Sequence, residues 1–135
     1  MKRKFDYTFR ALGSLFVITF FRDDDGGLDA FVQTVFKRIS HFEGEFSRFV
    51  PDSSLSVLNR LGRLSVSDEF LELLSVSGEC YRRSSGYFNP LRNVALLGYS
   101  EDFESGNFVP EIPASPPRTD FENVRAEGRE VILEP

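Results

Sequence analysis

The chain has 135 residues, 41% of them hydrophobic and 27% charged, with a formal net charge of −5 and a pI near 4.9. That is the size and composition of one ordinary globular domain, so residues 1–135 are expected to form a single unit. The longest basic run is Lys2-Arg3-Lys4, too little positive charge to pair with a phosphate backbone, and nucleic acid is set aside as a partner.

Cys80 is the only cysteine, which excludes an intrachain disulfide and a cysteine-based zinc site. No apolar run approaches the roughly 18 residues of a membrane span, and the amino terminus lacks an apolar region of signal-peptide type. A protein of the reducing cytoplasm is expected, with no membrane span. With 15 Phe and no Trp, phenylalanine must supply most of the bulky packing.

Ser14 to Phe21 ("SLFVITFF") is a continuous β-branched and aromatic run closed by "RDDDGG", and it predicts a buried strand. From Leu28 the apolar residues Leu28, Phe31, Val32, Val35, Phe36, Ile39 and Phe42 share one face of a helix that runs to about Glu45. A Pro51-Asp52-Ser53 turn leads to a short helical turn at Leu55 to Arg60, ended by Gly62. Ser65 and Asp68 are spaced as a capping box for a second long helix, from about Ser67 to Ser84.

In "RRSSGYFNPLRN", Gly86 can end that helix in the left-handed region and Pro90 biases Asn89 toward extended backbone. Tyr87, Phe88 and Asn89 are then expected to form a short extended shelf, with one ring toward a ligand and the other toward the core. Leu91 to Tyr99 predicts two helical turns, and the proline-rich stretch to Arg118 an extended surface loop. The last segment predicts a hairpin around Glu127-Gly128. The order gives an α+β fold, with helices packed on a mostly antiparallel sheet.

The candidate chemistry is sparse. His41 stands alone near the end of the first helix, and a base needs a partner to orient it, so a helix-end histidine is the plainer reading. Asp23-Asp24-Asp25 lacks the ligand alternation of a calcium loop and fits a solvated turn. Glu43 and Glu45 are two residues apart on a helix and do not form a carboxylate pair. Phe46 and Phe49 flank a sharp turn and could simply anchor it, and the shelf could equally be a helix stop with packed aromatics. No Walker loop, Ser-His-Asp set or metal cluster is present in the sequence.

Taken together, the pieces resemble the amino-terminal part of the FAD:protein FMN transferases, the ApbE family. Leu12-Gly13-Ser14 resembles the family's Met-Gly-Thr. "SRFVPDSSLSVLNR" resembles its S-x-Y-D-P-D-S-x-(I/L)-S-x-(L/F)-N, with Phe49 for Tyr and Val50 for Asp. "SSGYFNP" resembles S-G-G-x-F-D-P, with Asn89 for Asp, and Leu97 to Tyr99 matches a following L-G-Y. The similarity covers roughly Phe9 to Pro135.

The resemblance implies that Leu12, Gly13, Ser14, Phe49, Tyr87, Phe88 and Asn89 form a binding site for FAD, the shelf holding the flavin. It implies an enzyme that uses a divalent metal, Mg, to transfer FMN onto a threonine of an acceptor flavoprotein through a phosphoester. The family continues after the hairpin with a D-L-G-G-x-x-K-G segment and metal-binding carboxylate and threonine positions, none of which this sequence contains. It is therefore expected to carry the flavin side of the site, needing a carboxy-terminal half for catalysis. The alternatives are a non-catalytic flavin-binding or interaction module and a plain structural domain.

Overall fold

The computed structural model describes residues 2–92 and 120–134. The helical turns expected at Leu91 to Tyr99 and the proline-rich loop after them fall largely outside the described residues. Two antiparallel sheets and three helices make up the described part. The first sheet pairs β1 (Arg3–Ala11) with β2 (Ser14–Arg22), in a register that sets Phe9 opposite Phe16 and Ala11 opposite Ser14.

The sequence reading missed β1. Its Phe5, Tyr7, Phe9 and Ala11 alternate with Lys4, Asp6, Thr8 and Arg10, and this period of two is what a half-buried strand needs. The expectation of a buried β2 is also corrected, because Leu15, Val17 and Phe21 stand 57–61% exposed on the outer face. A continuous apolar run did not mean burial on both sides.

The inner face of this hairpin packs on α1 (Leu28–Phe46) through a chain of rings. Phe9 stacks on Phe16 at 5.5 Å and meets Phe36 edge-on at 5.5 Å, while Phe20 meets Phe31 edge-on at 5.8 Å. The Tyr7 hydroxyl donates to Asp29 Oδ1 at 2.8 Å, tying β1 to the first turn of α1. That bond to a carboxylate favours the protonated phenol and raises its pKa. On the outer face, bonds from Lys4 and Thr19 lower the pKa of Asp6.

The second sheet has the order β3-β5-β4, where β3 is Arg63–Ser65, β4 is Val124–Glu127 and β5 is Glu130–Leu133. The expected hairpin is present, and Gly128 takes φ 61° in its two-residue turn. Val131 on the central strand is fully buried and joins Leu58, Val66 and Phe70 in the core. Leu58 comes from α2 (Ser54–Leu61), which Gly62 ends at φ 74°, and Phe70 from α3 (Asp68–Arg83). Helices thus pack on antiparallel sheets, an α+β architecture.

The capping box is corrected by two positions. Ser67 caps α3, its Oγ accepting from the Phe70 amide at 3.1 Å. Ser65 is instead spent in β3 opposite Glu130, and Asp68 pairs with Arg129. The three residues of β3 left no periodicity to read, since their partner strand lies more than 60 residues away in the chain.

Candidate functional site

The end of α1 organises the site region. The backbone carbonyl of Glu43 accepts from the Ser47 amide at 3.0 Å, and its Oε1 accepts from the Leu12 amide at 3.2 Å. One residue therefore holds both the tip of the first hairpin and the start of the loop that carries Phe49. Glu45 faces the other way, as the two-residue spacing requires. Its Oε1 accepts from Ser54 Oγ at 3.3 Å and its Oε2 from Ser67 Oγ at 2.9 Å, so one carboxylate joins the starts of α2 and α3 to the end of α1.

The hairpin tip is a two-residue turn, Leu12-Gly13, with φ 53° and 65°. Both values are left-handed, the condition of a type I′ turn. Gly13 meets it freely, whereas Leu12 is a bulky residue in a region it disfavours. The glycine expected to let a ligand approach the backbone thus has a structural task of its own.

Residues 47–53 form a closed loop. The Ser53 side chain is completely buried, its Oγ donating to the Ser47 carbonyl and accepting from the Ser56 amide at 3.1 Å, while Ser56 Oγ also donates to the Ser47 carbonyl at 3.2 Å. With the polar groups clasped inward, the loop turns Arg48, Phe49 and Val50 outward, and Phe49 is 44% exposed. The Arg48 guanidinium covers one face of its ring, 4.1 Å from the centroid. Anchoring of the Phe49 ring in the core does not describe this position.

The Tyr87–Asn89 segment differs from the expected shelf. Gly86 is left-handed as expected, at φ 82°, but Ser85 is too, at φ 52°. The Tyr87 amide then donates to the Ser84 carbonyl at 3.1 Å, the Phe88 amide to Ser84 Oγ at 2.8 Å, and the Leu91 amide to Asn89 Oδ1 at 3.0 Å. These are consecutive turns, not extended backbone, so side chains do not alternate. Tyr87 is 95% and Phe88 48% exposed, and neither ring is a core residue.

Leu12, Gly13 and Phe49 therefore gather at the end of α1, with Ser14 opening β2 beside them. Tyr87, Phe88 and Asn89 follow the far end of α3, whose 16 residues span about 24 Å. His41 is exposed, with Nε2 3.7 Å from Glu69 Oε2, a carboxylate that Arg38 also binds. Asp24 Oδ1 accepts from the Gly26 amide at 2.9 Å in the turn before α1. Cys80 is a free, exposed thiol. Among the described residues no three His, Cys, Asp or Glu side chains come together to hold a metal ion, and no helix is long and apolar enough to cross a membrane.

A model of the ApbE family matches residues 12–131. The chain belongs to the ApbE family. Among solved structures, it is similar to Pseudomonas stutzeri flavinyl transferase ApbE in its apo form, with TM-score 0.76 at 16% identity. It is also similar to the ApbE protein from Thermotoga maritima, at 0.78 and 18%, and to the flavin transferase ApbE from Vibrio cholerae, at 0.71 and 16%. Each alignment covers 98% of this ApbE-family chain but only 45–46% of the other, so the chain spans less than half the length of these structures. No curated protein matches it.

Sequence reasoning picked out the aromatic and glycine positions of the site region but not Glu43, Glu45, Arg48 or Arg60. The run of serines after Glu45 is the signal that could have exposed the hub, because serines at helix starts need acceptors nearby.

Proposed function

We propose that this chain is the flavin-side portion of an FAD:protein FMN transferase, a single unit whose Leu12, Gly13, Ser14, Phe49, Tyr87, Phe88 and Asn89 line the FAD site. Family membership over residues 12–131 is the observation that carries this reading. The exposed Phe49 ring suits the apolar face of an isoalloxazine, and backbone polar groups at the turns suit its edge.

In the proposed reaction the threonine hydroxyl of an acceptor flavoprotein attacks the phosphorus on the FMN side of the FAD diphosphate. A phosphoester bond forms, the P–O bond to the AMP portion breaks, AMP leaves, and the hydroxyl proton passes to a base or to solvent. Such transfer relies on neutralising phosphate charge, the service a magnesium ion supplies in phosphoryl transfer. Among the described residues no cluster fits such an ion, and in this reading the metal ligands are supplied by a complementary carboxy-terminal half, continuous with this chain or separate. A second reading is a flavin-binding module without catalysis.

The test is a titration with FAD followed by flavin fluorescence, then incubation with a threonine-bearing acceptor, with and without magnesium. Saturable FAD binding without covalent flavin on the acceptor is expected for the chain alone. Covalent flavin is expected once the complementary half is supplied. Covalent transfer by the chain alone contradicts this division of the site, and absence of any FAD binding contradicts the flavin assignment.

A further inference from the structure

Two guanidinium groups touch the loop that carries Phe49, and among the described residues neither makes an ion pair with a carboxylate. Arg48 lies over the Phe49 ring, 4.1 Å from its centroid, and makes no ion pair among the described residues. Arg60, in the last turn of α2, donates to the Pro51 carbonyl at 3.3 Å, two residues beyond Phe49 in the same loop, and makes no ion pair either. Arg38, Arg63, Arg83, Arg125 and Arg129 pair with carboxylates, whereas Arg3, which lies over the Phe5 ring at 5.1 Å, also makes no ion pair among the described residues. Asp52 is the only acid in the loop and reaches neither cation.

In a chain of net charge −5, Arg48 and Arg60 put two arginines without an ion pair on the loop that carries an exposed ring. Arginine is weakly hydrated, stacks on aromatic faces and offers a planar donor fork that matches phosphate oxygens. Stacked on Phe49, Arg48 keeps its edge donors available while its face is covered.

We propose that Arg48 and Arg60 form an anion-binding arm for a diphosphate, so that a nucleoside diphosphate places its phosphates on the two guanidinium groups and a planar ring system against Phe49. This deepens the flavin reading and rests on it only for the identity of the ring. The arm itself requires no flavin. Asp52 opposes it, so removing that charge should strengthen it.

The experiment is a set of titrations with inorganic pyrophosphate and ADP by calorimetry and with riboflavin and FAD by fluorescence. The proteins are the wild type, Arg48→Gln, Arg60→Gln, the charge-keeping Arg48→Lys and Arg60→Lys, Asp52→Asn, and Arg83→Gln as a control for general surface charge. Circular dichroism verifies folding. Each Gln variant is expected to weaken pyrophosphate, ADP and FAD by about tenfold while leaving riboflavin unchanged. The Lys variants are expected to recover most of the loss, Asp52→Asn to tighten all three anions, and Arg83→Gln to do nothing.

Pyrophosphate and ADP bound through the two arginines with no riboflavin affinity would uphold the arm and remove the flavin reading. Riboflavin and FAD bound normally by both Gln variants would uphold the flavin reading and remove the arm. A wild type with no affinity for pyrophosphate or ADP, or an equal loss in Arg83→Gln, also overturns the arm.

Discussion

Leu12 shows how a single residue can be held against its own preference. At φ 53° it sits where a β-carbon crowds the following carbonyl, a cost of about 1–2 kcal/mol. Its amide is held by Glu43 at 3.2 Å, and the paired strands on either side fix the turn at two residues. Asparagine tolerates this backbone far better and is the preferred partner of glycine in such turns. Leu12→Asn should therefore raise stability by about 1 kcal/mol in thermal unfolding. If the leucine side chain contributes to the proposed site, the same variant should bind FAD less well. A gain of stability with unchanged affinity would leave Leu12 as a turn residue only.

At the scale of elements, α3 shows packing overruling propensity. Gly78 lies mid-helix, where alanine is normally better by about 1 kcal/mol. A β-carbon there, however, would lie 2.7 Å from Phe121 Cε1, closer than such atoms pack, so that ring would have to give up its stacking on Tyr81 at 5.7 Å. Overpacking of this kind costs about 1–3 kcal/mol, so Gly78→Ala should lower the midpoint of chemical unfolding instead of raising it. A stabilised variant would show that the Phe121 ring moves freely.

The same contrast explains what the sequence disclosed. α1 was legible from seven apolar residues at helical spacing, and α2 from its stop at Gly62, because both signals are local. β1 carried an equally local alternation, hidden by the charges at Lys4, Asp6 and Arg10, so of the first hairpin only β2 was recognised as a strand. β3 and the Glu45 hub depend on partners distant in the chain, which no window of sequence contains. The Tyr87–Asn89 turns were misjudged because Pro90 restricts only the residue before it, while Ser84 and Ser85 redirected the backbone earlier.

For the molecule as a whole, the two sheets share no strand, and among the described residues each contributes a different wall to α1, α2 and α3. The first hairpin bears on α1, and the second sheet encloses the core around Val131. At the end of α1, Glu43 holds the tip of the first hairpin and Glu45 the starts of α2 and α3, so the geometry around Leu12 and the loop 47–53 depends on all of these being in place.

The outer face of the first hairpin has a practical consequence in concentrated solution. From Ser14 to Phe21 the strand β2 carries no charge, and among the described residues no third strand covers its edge. Such edges recruit one another, since natural sheets use charges, prolines or bulges to prevent it. The protein by itself should thus form sheet-rich aggregates on storage, faster as concentration rises. Val17→Lys places a gatekeeper charge at the middle of the exposed face without touching the inner rings. Light scattering over days should show slower growth for this variant at unchanged thermal stability, whereas identical growth would move the sticky surface elsewhere.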